Sequence, residues 1–393
     1  MNTSIDALVA NCDHVETPND LRERLALGRP LRVKLGLDPT TADLHIGHAV
    51  VLRKLQEFVE AGHEVTLVIG AFTASIGDPS GRNSLRPPLS AEQIEHNMHT
   101  YAQQAQKVLD LDRISLRYNS EWLAPLNFSE LIRLASRVTV AQMLEREDFK
   151  TRYTGGVPIS LHEFLYPIAQ AYDSIELRTD VELGGTDQLF NLLMGRHYQA
   201  SLGQLAQICM TTPLLEGLDG SKKMSKSSGN FVGLTESPEI QFGKLMSLPD
   251  EMLPRYAALA AFWPCDDVAR LRAELVTGKA HPMEVKKRLA AEIVALYHGS
   301  EGARAARDYF ERTVQRKEVP DAMPQMQRGA SRRVTDVLVA AKFAQSKRAA
   351  ERLIAGGGVR INGEVVGDAG AAWSEQEPAV LSVGSRKFIK IVP

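Results

Sequence analysis

The 393-residue sequence predicts an α/β protein: a parallel sheet covered by helices, continued by an all-helical domain and closed by a small α+β domain. Three observations predict it. The first half alternates strand-like and helix-like segments, the pattern of parallel strands joined by helical crossovers. After about Pro238 amphipathic helices succeed one another with no strand pattern between them. From Arg328 onward eleven Lys and Arg stand against six acids, a balance of +5 in a chain of formal charge −2, so everything before it carries −7. Such asymmetry is what a small appended RNA-binding module produces.

In order along the chain, residues 31–37 read as a buried strand and 47–61 as the helix after it. Val50, Val51, Leu55, Phe58 and Val59 fall at helical spacing there, and Gly62 sits where a left-handed cap belongs. Residues 65–69 read as the next strand. Ser90 with Gln93 makes a capping box for a helix running to about Leu109. Further strands fit 114–118, 181–183 and 207–211. In the helical part 282–298 is a clear amphipathic helix, and 319–330, with Pro320, Pro324 and Gly329, reads as a linker. Beyond it come a basic helix over 346–354, a break at 356–358, and a hairpin turning at Asn362-Gly363, a strong turn signal. The expected domains are therefore 1–230 with an insertion at about 120–165, then 231–318, the linker 319–330, and 331–393.

Composition excludes other classes. A hydrophobic share of 44% and a charged share of 24% are those of an ordinary globular protein, which removes disordered and fibrous readings. No run of about 18 apolar residues exists, so no membrane span is expected. Asp6, Asp13, Glu16, Asp20 and Glu23 crowd the first 25 residues, unlike a targeting peptide, and a cytoplasmic location is expected. Cys12, Cys209 and Cys265 are odd in number and far apart. They suggest neither a disulfide framework nor a zinc site, and burial is expected for all three.

Two stretches carry chemistry. The first is Asp38-Pro39-Thr40-Thr41-Ala42-Asp43-Leu44-His45-Ile46-Gly47-His48, between the first strand and its helix. A strand-to-helix junction turns unpaired N–H groups and the positive helix end outward, a ready phosphate site. His45 and His48, three apart, share a face and can serve one anion, while Gly47 leaves room for a flat ring to approach the backbone. The second is Asp219-Gly220-Ser221-Lys222-Lys223-Met224-Ser225-Lys226-Ser227-Ser228-Gly229, a loop after the last expected strand. Its Gly and Ser content allows motion, and its ammonium groups can swing onto a charged substrate.

His-Ile-Gly-His after the first strand and Lys-Met-Ser-Lys-Ser after the last are the paired signatures of the class I aminoacyl-tRNA synthetases, and the chain resembles that family. A five-residue string of that spelling arises by chance in a chain this long on the order of once in ten thousand sequences. The resemblance implies a Rossmann-like catalytic domain whose two signatures close over ATP. Gly36, Asp38, Gly47, Gly185, Asp187 and Lys226 are then the expected ATP contacts.

Within that family the chain resembles the bacterial-type tyrosyl enzymes, in the subgroup that spells its lysine loop Lys-Met-Ser-Lys-Ser. Tyr166, Gln170 and Asp173 lie at spacings of four and three, on one helical face. By resemblance Tyr166 and Gln170 hold the tyrosine ammonium group together with Asp78, and Asp173 accepts the phenolic hydroxyl. Gly184-Gly185-Thr186-Asp187-Gln188 is similar to the family's glycine-rich turn, where Asp187 meets the ribose hydroxyls and Gln188 approaches the substrate carboxylate. Thr73, Asp78, Arg82 and Arg86 fall in the family's second strand-to-helix loop, with the two arginines reaching the departing pyrophosphate. One position departs: many tyrosyl enzymes have a tyrosine where this chain has Lys34.

The last 60 or so residues resemble a small RNA-binding domain named for a ribosomal protein. Lys347, Arg348, Arg352 and Arg360 are the expected tRNA contacts, each a salt-sensitive, sequence-independent attraction. The activity implied is a tyrosine–tRNA ligase reaction. Tyrosine attacks ATP to give tyrosyl-adenylate and pyrophosphate, and the 3′-terminal ribose of tRNA(Tyr) then takes the tyrosine. Thr40, His45, His48, Arg82, Arg86, Lys223 and Lys226 are the expected catalytic groups, stabilising charge on the leaving pyrophosphate. ATP enters as a substrate with Mg²⁺; no tightly held cofactor and no protein metal site are expected. The resemblance also implies a homodimer formed through residues 120–165, with Phe128, Leu131, Ile132 and Leu134 supplying apolar area. The rival readings are a class I enzyme for another amino acid, above all tryptophan, a paralogue that uses a tyrosyl adenylate in other chemistry, and an RNA-binding protein that kept the scaffold without its activity.

Overall fold

Six short runs, of which the second and third are the richest in Val, Ile and Leu, become the strands of one sheet: β1 (His14–Glu16), β2 (Arg32–Leu37), β3 (Glu64–Ile69), β4 (Ser115–Tyr118), β5 (Val181–Gly185) and β6 (Ile208–Thr212). Their order is β1-β6-β5-β2-β3-β4. β2 to β6 run parallel, and β1 joins β6 antiparallel with Val15 opposite Met210. β6 is buried along its whole length, β5 over most of its length and β2 at its centre, Val33–Leu35, as strands covered on both faces must be. Helices α1 (Ile46–Glu60), α2 (Ala91–Ala105), α3 (Phe128–Ala135), α4 (Leu165–Glu176) and α5 (Leu189–Ser201) belong to this α/β region. Gly62 has φ +83°, the left-handed value expected after α1, and Ser90 and Gln93 form the expected capping box before α2. α2 ends at Ala105, four residues short of the expected limit.

This computed structural model describes residues 5–39, 43–80, 90–316, 323–327, 333–373, 378–384 and 387–392, and the chain divides into two compact units, Met1–Gly299 and Ser300–Pro393. The helical part begins with α6 (Pro238–Leu245), α7 (Leu253–Leu259) and α8 (Cys265–Val276). α9 (Pro282–Phe310) breaks at Gly299, whose φ of 75° and ψ of 170° are not helical. Leu253, Ala257, Leu271 and Leu289 form the core of this helical part.

The cysteines correct one expectation. Cys209 is buried, but Cys12 is half-buried and Cys265 is exposed at the start of α8. In the insertion, Phe128 and Ile132 are exposed whereas Leu134 is buried against Tyr198 and Met143, because α3 turns one stripe outward and one inward.

At the amino ends of the strands, Asp180 is 2% exposed and gathers three guanidinium groups. Arg29 reaches both of its oxygens at 2.9 Å, Arg32 binds at 3.2 Å, and Arg24 lies 3.7 Å away. Bonds from Arg29 and Arg32 outweigh burial and hold the Asp180 carboxyl well below the usual range.

The second unit has its own sheet, ordered β7-β11-β10-β8-β9 in the same chain-order numbering: β7 (Gln325–Gln327), β8 (Val359–Ile361), β9 (Glu364–Val365), β10 (Ala379–Val383) and β11 (Lys387–Val392). Within the stretch read as a linker, Gln325–Gln327 thus forms an edge strand parallel to β11. Helices α10 (Val334–Ala340) and α11 (Lys347–Ala355) pack over a core of Val337, Leu338, Ile354, Val359, Leu381 and Ile391. Asn362 (φ 48°) and Gly363 (φ 89°) make the expected hairpin turn, which demands two left-handed residues. No described helix of the chain is long and apolar enough to cross a membrane.

Candidate active site

β2 and β5 are neighbours from which the chain order runs outward in opposite directions, and such a switch point opens a crevice beyond the carboxyl ends of the strands. A cavity of about 300 Å³ lies there, among the ends of β2 and β5, Gly70 after β3, and Thr212. Every expected catalytic, ATP or tyrosine residue that the structure describes lines it. These are Gly36, Asp38, His45, Gly47, His48, Asp78, Tyr166, Gln170, Asp173, Gly185, Asp187, Gln188, Lys223 and Lys226. Thr40, Arg82 and Arg86 lie outside the described residues.

The two signature loops meet through Lys226 and Asp43, and the segment just after the lysine loop bonds to the first loop. Ile46 N–H donates to the Val232 carbonyl at 3.0 Å and Leu234 N–H to the Leu44 carbonyl at 2.9 Å. His45 precedes α1 in extended conformation, and its backbone N–H donates to His48 Nδ1 at 3.2 Å. The His48 proton therefore resides on Nε2. The two rings lie 3.9 Å apart, and a Cβ on Gly47 would stand 3.0 Å from the His45 ring, so the ring that uses the space at Gly47 is His45's own. Burial and the Lys223 charge push His48 down to about 4. Burial, His48 and Lys223 push His45 well below the usual range. Both are neutral near pH 7 and can offer single N–H donors rather than positive charge.

The lysine loop is anchored at its base. Asn230 donates to Asp219 at 2.9 Å and accepts from Ser225 N–H at 2.9 Å, while Met224 is buried and its N–H bonds to Leu215. The ammonium groups of Lys223 and Lys226 are about half exposed and pair with Asp187 and Asp43.

The expected face of α4 lines the cavity, and each of its three polar groups has a partner. Tyr166 donates its hydroxyl hydrogen to Asp38 at 2.9 Å, and Asp38 also accepts from Thr73 at 2.7 Å. Burial, then Asp38 and Asp78, raises the Tyr166 hydroxyl well above its usual range. Gln170 Nε2 donates to Glu182 at 3.0 Å. Asp173, 4% exposed, accepts from Trp122 Nε1 at 2.7 Å and Asn119 Nδ2 at 3.5 Å. Burial pushes its carboxyl up to about 6 against the opposing pull of Lys34 and those two donors.

Asp78 accepts from Gln188 Nε2 and from Ser80 N–H, both at 2.8 Å, with Arg146 3.5 Å away. Arg146 also holds Ser80 Oγ at 2.7 Å and Asn191 at 3.1 Å. Trp122, Asn119, Arg146, Ser80 and Asn191 were not singled out by sequence reasoning, and no spacing rule marks them. Among the described residues no cluster of His, Cys, Asp or Glu forms a metal site.

In the second unit Lys347, Arg348, Arg352 and Arg360 are all exposed. Arg348 and Arg352 stand one turn apart on α11, Lys347 pairs with Asp336 at 2.6 Å, and Arg360 points outward from β8 while donating to the Gly363 carbonyl.

The chain is similar to known proteins. The family of class I tRNA synthetases (W and Y) matches residues 26–315, and the S4 domain family matches 332–371. Tyrosine–tRNA ligase of Thermotoga maritima is 47% identical over 98% of this chain and 96% of its own length. That of Bordetella bronchiseptica is 49% identical over 97% and 94%. Among solved structures, tyrosyl-tRNA synthetase of Archaeoglobus fulgidus, complexed with L-tyrosine, superposes with a TM-score of 0.64 at 23% identity, covering 77% of this chain and 98% of that one; the likeness is one of fold.

Proposed function

We propose a reaction for the cavity from one premise: the chain belongs to the class I tRNA synthetases of the W and Y family. It is a tyrosine–tRNA ligase, as its curated relatives are, activating L-tyrosine with ATP and charging tRNA(Tyr). In the first step the tyrosine carboxylate attacks the α-phosphorus of ATP in line and pyrophosphate departs. Asp173 accepts the phenolic O–H, while Tyr166, Gln170 and Asp78 surround the ammonium group. Gln188 meets the carboxylate and Asp187 the ribose, beside Gly36, Asp38, Gly47 and Gly185. His45 and His48 donate N–H bonds to the phosphates. Lys223 and Lys226 exchange their carboxylate partners for the leaving group, a charge-stabilising role shared with Thr40, Arg82 and Arg86. Mg²⁺ enters bound to ATP as part of that substrate. In the second step the terminal ribose hydroxyl of tRNA attacks the adenylate carbonyl, the acyl–phosphate bond breaks and AMP leaves.

One observation carries this reading: the imidazoles of one loop, the ammonium groups of another and the Tyr166-Gln170-Asp173 face line one cavity. ATP–pyrophosphate exchange run beside tryptophan and phenylalanine tests it. Exchange dependent on tyrosine alone is expected, and exchange driven by tryptophan would reject the assignment.

The domain plan proposed is 1–230 for activation, 231–318 for the anticodon region of tRNA, and 331–393 for further RNA contact through Lys347, Arg348, Arg352 and Arg360. Removing 331–393 is expected to leave exchange intact and to weaken aminoacylation, measured by tRNA charging. A homodimer through 120–165, using exposed Phe128 and Ile132, and a cytoplasmic location complete the proposal. A monomer mass in solution would remove the dimer.

A further inference from the structure

Beneath the cavity floor lies a buried ion pair that the reaction above does not use. Lys34 on β2 and Glu182 on β5 are 2% and 1% exposed and meet at 3.0 Å. Lys34 Nζ also donates to Ser174 Oγ at 2.8 Å and to the backbone carbonyl of Gln170 at 3.4 Å. Glu182 Oε1 accepts from Gln170 Nε2 at 3.0 Å, and Oε2 accepts from Ser174 Oγ at 3.0 Å and from Gln207 Nε2. The network is closed on its far side by Gly195 of α5, where a Cβ would stand 2.6 Å from Gln207 Nε2 and 2.9 Å from Ser174 Oγ. Of these residues Gln170 alone lines the cavity.

A buried ion pair is a poor way to join two strands, because desolvation offsets most of its attraction and an apolar pair would serve as well. Its effect on Gln170 gives it a use. An amide side chain has one donating end and one accepting end, and a carboxylate only accepts. Facing the Glu182 carboxylate, Gln170 turns its NH₂ toward Glu182 and its side-chain carbonyl away. Lys34 supplies the counter-charge that makes burial of that carboxylate tolerable, and so holds it in place as the acceptor for the amide.

We propose that Lys34 and Glu182 are positioning residues that set the polarity of the Gln170 amide, so that the substrate's ammonium group meets a carbonyl acceptor and not an NH₂. The inference rests on the tyrosine reading and assigns a role to the position where this chain departs from its family's usual tyrosine. Asp173 on the same helix also feels Lys34 and Glu182, so the test must separate the ammonium end of the ligand from the phenol end.

Two probes do so: tyramine, which has the phenol and the ammonium group, and 3-(4-hydroxyphenyl)propanoate, which has the phenol and the carboxylate but no ammonium. Their dissociation constants are measured by calorimetry on the full chain, on Lys34→Met, and on Lys34→Met/Glu182→Met, which leaves no buried charge unpaired should the single variant fold poorly. Tyramine is expected to weaken about ten-fold or more in both variants, the loss of one charge-assisted hydrogen bond, with propanoate binding held within about two-fold. Equal weakening of both probes, or unchanged tyramine binding, would overturn the proposal. Tyrosine-dependent exchange by the unaltered chain distinguishes the two failures, since its absence removes the tyrosine reading and this inference together.

Discussion

The floor and the rim of the cavity are built on opposite principles. On the floor, Asp173, Tyr166 and Gln170 are held by Trp122, Asn119, Asp38 and Glu182 through bonds of 2.7–3.5 Å, and Asp173 is almost sealed from water. On the rim, Lys223 and Lys226 are half exposed, and their partners Asp187 and Asp43 come from other loops. Surface pairs of that kind contribute little to stability and can be exchanged at small cost, whereas a buried, cross-bonded carboxylate cannot move without losing several partners. In the proposed reaction, selection of the amino acid falls to the rigid part and charge stabilisation to the adaptable part, an arrangement suited to groups that bind more strongly in the transition state than in the ground state.

The widest separation between amino-acid binding and charge stabilisation comes from Lys226→Ala on the rim or from His45→Ala, whose ring is buried. Either is expected to lower the exchange rate by about 10² or more while tyrosine affinity changes little, read from the KM-against-kcat split. Parallel loss of affinity and rate would dissolve the distinction. Asp173→Asn is expected to raise the KM for tyrosine by about ten- to a hundred-fold and to narrow discrimination against phenylalanine, since a charged acceptor for the phenol is lost. An effect on kcat alone would break the comparison from the other side.

Acid sharpens it further. With the Asp173 carboxyl near 6, tyrosine KM is expected to rise as pH falls through about 6, and to stop doing so in Asp173→Asn. The same shift acts on folding with a definite sign. A carboxyl raised from 3.8 favours the folded state when protonated, so its contribution is fully present below 3.8 and is lost as pH climbs to about 6. Denaturant midpoints of the two proteins across that window measure it. The smallest change is expected from Trp122→Phe, which removes one donor to the ionised form. Tyrosine KM should rise several-fold at neutral pH and its midpoint should move upward.

Much of the rim and some of the floor could be read from the sequence. His45, His48, Lys223 and Lys226 are spelled in contiguous runs, and Tyr166, Gln170 and Asp173 follow helical spacing, so local order already marks them. The strands of the first sheet were legible for the same reason, except β1: three residues, His14–Glu16, are too few to show alternation, and their partner lies near residue 210, while β7, β10 and β11 of the second sheet were not read. What holds the floor was not legible. Trp122 and Asn119 reach Asp173 across 51 and 54 positions and Arg146 reaches Ser80 across 66, separations at which side-chain geometry leaves no periodic trace. Lys34 could be noticed as out of place, but its partner Glu182 could be found only once β2 and β5 were known to be neighbours.

Three arginines around Asp180 tie the opposite ends of these strands together, as far from the cavity as the sheet allows. A protein engineer can treat the two ends as separate workshops. Residues facing the substrate can be varied in search of new amino-acid preferences while that clamp keeps the scaffold in register. Its loss would leave three guanidinium groups crowded without their common anion, and would unsettle every library built on the fold, whatever its altered pocket contained.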